Sequence, residues 1–313
     1  MRKILVIDDV HPVFVETLQA AGYMLVDGTA MNRAEILELL PDFYGAEIRS
    51  RIAIDREFLD RGKNLRFVAR AGAGMEGIDI AYAKQKGIVA LNSPEGNRDA
   101  VAEHALGMLL GLLNNLPIAD REVREGQWNR EANRGIELGG KTVALLGYGN
   151  TGAAFAQRLS GMKVTVLVYD KYKSDFGTNQ VIESDMQRIF DEADILSLHL
   201  PLNAETEFLV NTDFINRFTK KILLINTARG RLVATADVVE AMKSGKVAGL
   251  CLDVNEYEDA SFEKYKADQA VPEPMRYLRE SRAAILTPHI AGWTHESKRK
   301  IAEVLAAKII ALG

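Results

Sequence analysis

One cysteine among 313 residues leaves no partner for a disulfide. That residue, Cys251, lies in the apolar run AGLCLDV and is expected to behave as a small buried hydrophobe. Basic residues are also in short supply: 39 against 43 acidic ones, for a formal net charge of −4. Without a basic stripe, nucleic acid is not the expected partner. No uninterrupted apolar run approaches the ~18 residues that span a bilayer, and the richest, LGMLLGLL, falls well short. The opening MRKILVIDD reaches two aspartates before a secretory h-region could form. Low-complexity tracts, internal repeats and Ser/Gly linkers are missing as well. The expectation is a cytoplasmic chain with no membrane partner and no metal, long enough for two domains with a core each.

Short apolar runs alternate with helix-length segments from end to end. KILVID, MLVD, AEIRS, RFVARAG and GIVALN read as strands, separated by VFVETLQAAG, RAEILELL, REFLDRG and AYAKQKG at helical spacing. The rhythm restarts at KTVALLGYG and runs through KVTVLVYD, DILSLHLP, KILLINTARG, KVAGLCLDV and AAILTPH. Such alternation predicts α/β architecture, with two doubly wound parallel sheets covered on both faces. Between the two series, Asp99 to Leu116 is apolar around most of its circumference. It is expected as one long buried helix at the domain junction or a subunit interface. The final HESKRKIAEVLAAKIIAL is amphipathic and should return to the first domain. A nucleotide-binding domain over 98–285 is thus inserted into another α/β domain made of 1–97 and 286–313.

Gly147, Gly149 and Gly152 have G-x-G-x-x-G spacing, directly after a strand-like run and before a helical one. The first glycine allows the tight turn, the second a close approach of backbone to pyrophosphate, the third close helix–strand packing. The helix N-terminus then offers unpaired N–H groups to the phosphates. An ordinary glycine-rich turn can share that spacing. The second strand VTVLVYD, however, ends in Asp170, an acid placed to accept from ribose hydroxyls and to repel a 2′-phosphate. NAD is expected over NADP, with Lys171 and Lys173 as a contrary signal.

Hydride transfer to a carbonyl needs a proton donor beside the oxygen and a cation for an anionic substrate. Of the five histidines, His11 reads as a turn residue, His104 as part of the apolar helix and His295 as a surface residue. His199 ends a strand at the sheet's carboxyl edge, where it could touch the cofactor. His289, in ILTPHIAG, occupies a Pro-bounded turn just after a strand, where ligands of this fold bind. Arg229, in LLINTARGRL, has the same setting. For an acid, CLDVNEYED offers Asp253, Glu256, Glu258 and Asp259, and spacing does not choose among them.

GYGNTG, NTARG, LDVNEYE and TPHIAG stand in the order and spacing of the D-isomer-specific 2-hydroxyacid dehydrogenases, which the chain resembles over essentially its full length. EIRSRIAI, VARAGAGMEGID and NSPEGNRDAVAEHA are most similar to the branch acting on 3-phosphoglycerate. The resemblance implies a flavodoxin-like substrate domain split by a Rossmann domain, and a catalytic trio of Arg229, Glu258 and His289. A carboxylate beside one imidazole nitrogen favours the protonated ring and fixes its orientation, and a guanidinium clamps a carboxylate. The same resemblance places Asn150, Thr151, His199, Leu200, Pro201, Thr227, Ala228, Asp253 and Gly292 around the cofactor, with Asp253 facing the nicotinamide carboxamide. Arg49, Ser50 and a backbone nest at Gly72, Ala73 and Gly74 would hold the substrate, and a homodimer is implied.

Some features depart from the family. Asp259 stands where proline is usual, and the stretch from Glu258 to His289 is longer than usual. Trp293 replaces a small residue and is expected to narrow or wall the pocket. Given the short distance from His289 to the last residue of this sequence, the serine-sensing domain found in many relatives is not expected within it. Two other readings remain: a reductase of hydroxypyruvate, glyoxylate or another small 2-keto acid, and an NADH-sensing corepressor that recruits peptides. The retained trio argues against the second.

Overall fold

The computed structural model describes residues 2–258 and 271–313, so Asp259 and the centre of the long Glu258–His289 stretch lie outside the described residues. The chain divides into two compact units, one of residues up to 98 with 293–313, the other of 99–292. No described helix is long and apolar enough to cross a membrane.

In the first unit, β1 (Lys3–Val6), β2 (Met24–Asp27), β3 (Gly45–Ile48), β4 (Phe67–Arg70) and β5 (Val89–Asn92) form a parallel sheet in the order β2-β1-β3-β4-β5. This is the flavodoxin-like order. Side chains alternate across the pleat, so Leu5 and Val68 join one core with Ile36 and Phe58. Ile4, Val6, Phe67 and Ala69 join the other with Phe14. The last helix, His295–Leu312, closes that second face with Ala302, Leu305, Ala306 and Ile309. Burying Leu305 or Ile309 contributes about 1.5–3 kcal/mol each. Thr294 begins this helix with a capping box to Ser297.

The second unit holds β6 (Thr142–Leu146), β7 (Thr165–Tyr169), β8 (Ile182–Glu183), β9 (Ile195–Leu198), β10 (Ile222–Asn226), β11 (Val247–Leu252) and β12 (Ala284–Leu286). All are parallel, in the order β12-β11-β10-β9-β6-β7-β8. Chain direction across the sheet reverses between β6 and β9, which makes their carboxyl ends the switch point where a dinucleotide sits in such folds. Val143 and Leu145 face one core and Ala144 and Leu146 the other.

Three local expectations change. The long helix is Arg98–Leu113; Asn115 then takes a left-handed conformation (φ 53°) and a second helix runs Leu116–Arg124. An asparagine tolerates that backbone, and Pro117 suits the first turn of a new helix. The edge strand β8 is too short to be visible as a periodic pattern. The chain passes back to the first unit after Gly292 rather than at 285, because the turn after β12 is hydrogen-bonded to Asp253 of the second unit.

Candidate active site

The phosphate turn follows β6 directly. A Cβ on Gly147 would lie 2.4 Å from the His199 carbonyl oxygen, and one on Gly152 would lie 2.2 Å from that of Gly147. Both positions exclude a side chain for reasons internal to the fold. Gly149 differs: nothing lies within 4 Å of its would-be Cβ, so backbone faces open space at the N-cap of the helix Asn150–Leu159, which carries Asn150 and Thr151 in its first turn. That is the approach a pyrophosphate needs. Two buried polar atoms beside this edge have no partner among the described residues, His199 Nδ1 after β9 and Thr227 Oγ1 after β10. Burial pushes the His199 imidazole down to about 4, so the ring is neutral, with its other nitrogen 3.0 Å from Ser197 Oγ. Leu200 packs on the core beneath, while Pro201 is exposed. A dinucleotide fits these residues.

Asp170 sits just after β7 with both oxygens pinned, Oδ2 by the Tyr148 amide at 2.8 Å and Oδ1 by the Tyr172 amide at 2.9 Å. Each oxygen retains a second lone pair for a ribose hydroxyl. The contrary lysines are engaged elsewhere: Lys171 pairs with Glu205 at 2.7 Å and Lys173 donates to the Tyr148 carbonyl at 2.7 Å.

The candidate reacting groups gather on the loops after β10, β11 and β12. His289 Nδ1 lies 3.0 Å from Glu258 Oε2, and both side chains are largely buried. The other described acids of that loop have separate work. Glu256 caps the helix Thr235–Lys243 by accepting the Thr235 amide at 2.8 Å. Asp253, with its side chain 1% exposed, accepts Thr287 Oγ1 at 2.6 Å, the Ile290 amide at 2.9 Å and the Ala291 amide at 2.8 Å. Asp253 therefore serves the turn around His289, whose backbone is left-handed (φ 55°), its amide donating to the Asp253 carbonyl at 2.7 Å. Such a conformation costs a histidine about 1–3 kcal/mol and persists only where neighbours impose it. Gly292 closes the turn.

Arg229 follows β10 on a turn shaped by buried Asn226, whose side chain accepts the Ala228 amide at 3.1 Å and donates to the Arg229 carbonyl at 2.8 Å. Arg229 Nη1 donates to the Ala228 carbonyl at 2.6 Å. Gly230 seats this turn against the Glu258 loop, since a Cβ there would fall 1.9 Å from the Asn255 oxygen.

His104 is more than filler in an apolar helix. Its Nε2 lies 3.0 Å from Thr287 Oγ1 and 3.6 Å from Asp253 Oδ1, joining the network under the His289 turn. No local pattern marks it, because its partners lie far along the chain. His11 caps the helix Pro12–Ala20, its Nδ1 accepting the Val13 amide at 3.2 Å, and His295 is exposed.

The substrate candidates of the first unit need one correction. The Gly72 amide donates to the Arg70 carbonyl at 2.8 Å and is used within the loop. The amides of Ala73 and Gly74 have no acceptor among the described residues, which leaves a smaller nest. Arg49 and Ser50 are held by Asp8, whose Oδ2 accepts both amides.

A doubly wound dinucleotide-binding unit with a histidine–carboxylate pair at the ends of its last strands defines a nicotinamide-dependent dehydrogenase architecture. The chain belongs to the D-isomer-specific 2-hydroxyacid dehydrogenases, since residues 106–291 match the NAD-binding domain of that family. It is 33% identical over 310 residues to a D-3-phosphoglycerate dehydrogenase of Archaeoglobus fulgidus, covering 98% of this chain and 56% of that one. It is also 33% identical over 280 residues to a hydroxypyruvate reductase of Thermotoga maritima, covering 89% and 88%. Among solved structures, D-lactate dehydrogenase with NAD+ from Lactobacillus jensenii superposes with a TM-score of 0.81 at 27% identity, covering 99% of this chain and 96% of that one. The chain thus spans about half the length of the phosphoglycerate dehydrogenases it matches.

Proposed function

We propose that this chain transfers a hydride between NAD and C2 of a D-2-hydroxy acid or its 2-keto acid. Bound NAD supplies the hydride acceptor, and NADH the donor. The observation that carries the reading is the 3.0 Å pair of His289 and Glu258 on the unit whose Gly149 backbone stands open to a phosphate. Glu258 orients the ring and balances its charge, and the ring gives a proton to the carbonyl oxygen during reduction or takes one from the hydroxyl during oxidation. Arg229 clamps the carboxylate and stabilises charge on the reacting oxygen. His199, Thr227 and Asp170 hold the cofactor, and Arg49, Ser50 and the amides of Ala73 and Gly74 take the substrate's anionic ends.

The substrate this reading favours is 3-phosphoglycerate with 3-phosphohydroxypyruvate, supported by Arg49 and by the names of several relatives. Hydroxypyruvate or glyoxylate is the second reading, supported by relatives that carry those names. A homodimer is part of the proposal. Exposed Leu116, Val123, Trp128 and Ile136, clustered in one stretch of the second unit, support it.

NADH absorbance at 340 nm with each 2-keto acid tests the reaction. His289→Asn should lower kcat at least ~10²-fold and leave NADH affinity little changed. Near-normal turnover in that variant would assign the proton transfer to another group.

A further inference from the structure

Two arginines leave the end of β3 and do different things. Arg51 turns inward, with Nε 3.3 Å from Asp8 and its guanidinium on the carbonyls of Ile7, Gly28 and Met31. It is part of the scaffold. Arg49 is held by its main chain, the amide donating to Asp8 and the carbonyl accepting Arg70 Nε at 2.8 Å. Its guanidinium carbon stands 3.9 Å from the centroid of the Trp293 indole. That distance is stacking contact.

Trp293 is itself well placed for this. It directly precedes the N-cap of the last helix, where Thr294 and Ser297 exchange hydrogen bonds of 3.0 Å each. Ser297 is buried and the helix behind it is seated in the core, so the backbone carrying the indole has little freedom. Yet Trp293 is 62% exposed, which a core-filling role does not explain. A guanidinium lying on an aromatic face keeps its N–H donors in its own plane, directed sideways, in the fork that matches a phosphate or carboxylate.

We propose that Trp293 is a positioning residue that stacks Arg49 to receive a second anionic group of the substrate, one carried beyond the 2-hydroxy acid unit. The inference rests on the function proposed above and deepens it. Backbone bonds fix where Arg49 starts, and the indole fixes where its charge ends. Specificity for a doubly anionic substrate then depends on a residue that forms no hydrogen bond to it.

The test uses the whole chain with NADH and two probes, phosphohydroxypyruvate and hydroxypyruvate. Trp293→Ala should lower the ratio of their kcat/KM values about threefold to tenfold, mainly through KM for the phosphorylated probe. Trp293→Phe should restore most of the ratio. In an Arg49→Ala background, Trp293→Ala should change the ratio no further, because the two residues act as one unit. A second readout is independent of turnover: in a Trp128→Phe background, phosphohydroxypyruvate should shift the emission of Trp293, and Arg49→Ala should abolish the shift. Equal losses on both probes, or fully additive losses in the double variant, would overturn this role while leaving the dehydrogenase reading intact. Turnover of neither probe by the wild type would overturn both.

Discussion

Replacing Asp253 with asparagine asks whether this buried carboxylate serves the His289 turn or the nicotinamide. Its oxygens accept Thr287 Oγ1 at 2.6 Å and the amides of Ile290 and Ala291 at 2.9 and 2.8 Å. Hydrogen bonds to a charged acceptor contribute about 1.5–3 kcal/mol each. Asparagine keeps an oxygen for Thr287 and Ile290, both on Oδ1, but sets its NH2 against the Ala291 amide, donor facing donor. Losing one charged bond, weakening two and orphaning a buried amide should destabilise the turn by about 3–5 kcal/mol. The left-handed backbone of His289 adds to the tendency to open. The damage should therefore be local, with exchange at the Ile290 and Ala291 amides faster by about 10²-fold to several thousandfold while the sheet stays protected. As His289 loses its orientation toward Glu258, kcat should fall at least ~10-fold, with NADH affinity changed less than about threefold. Hydrogen exchange read by mass spectrometry, with steady-state kinetics, measures both. Unchanged exchange together with weakened NADH binding would refute the argument and return Asp253 to the carboxamide.

Gly149→Ala should fold and bind NADH more weakly, whereas Gly147→Ala and Gly152→Ala should lower the melting temperature, since their Cβ atoms meet fixed carbonyls; three equal melting curves would contradict this. Asp170→Ser should weaken NADH and improve NADPH relative to it, as the lysines beside it are paired elsewhere; an unaltered preference would mean that another group holds the ribose. Burial, reinforced by Asp8, holds the Glu47 carboxyl well above its ordinary 4.5. The folded chain keeps a proton that the unfolded chain releases, so stability is full below about 4.5 and is lost as pH rises through the folded value. Glu47→Gln, which cannot ionise, should melt above wild type at pH 7, and the gap should shrink near pH 4. A gap independent of pH would refute the assignment.

Much of the second unit was legible because its signals are local. A glycine triplet between a strand and a helix, and an acid ending the next strand, depend on chemistry within a few residues of each other. The same holds for Arg229 and His289, which stand in turns just after apolar runs and so had to lie at the sheet's carboxyl edge. Choosing the acid was not local. Asp253, Glu256 and Glu258 look alike in sequence, and their side chains separate only because one meets the turn after β12, one a helix N-terminus and one the imidazole.

The alternation of strands and helices, with one cysteine and no basic excess, by itself determined a parallel α/β chain carrying a dinucleotide turn. Tertiary structure alone decided that His104 underlies the turn that carries His289 and that Trp293 stacks on Arg49. Periodicity records which face of an element is buried. It carries no record of which distant side chain arrives at that face, and both of these facts depend on that arrival.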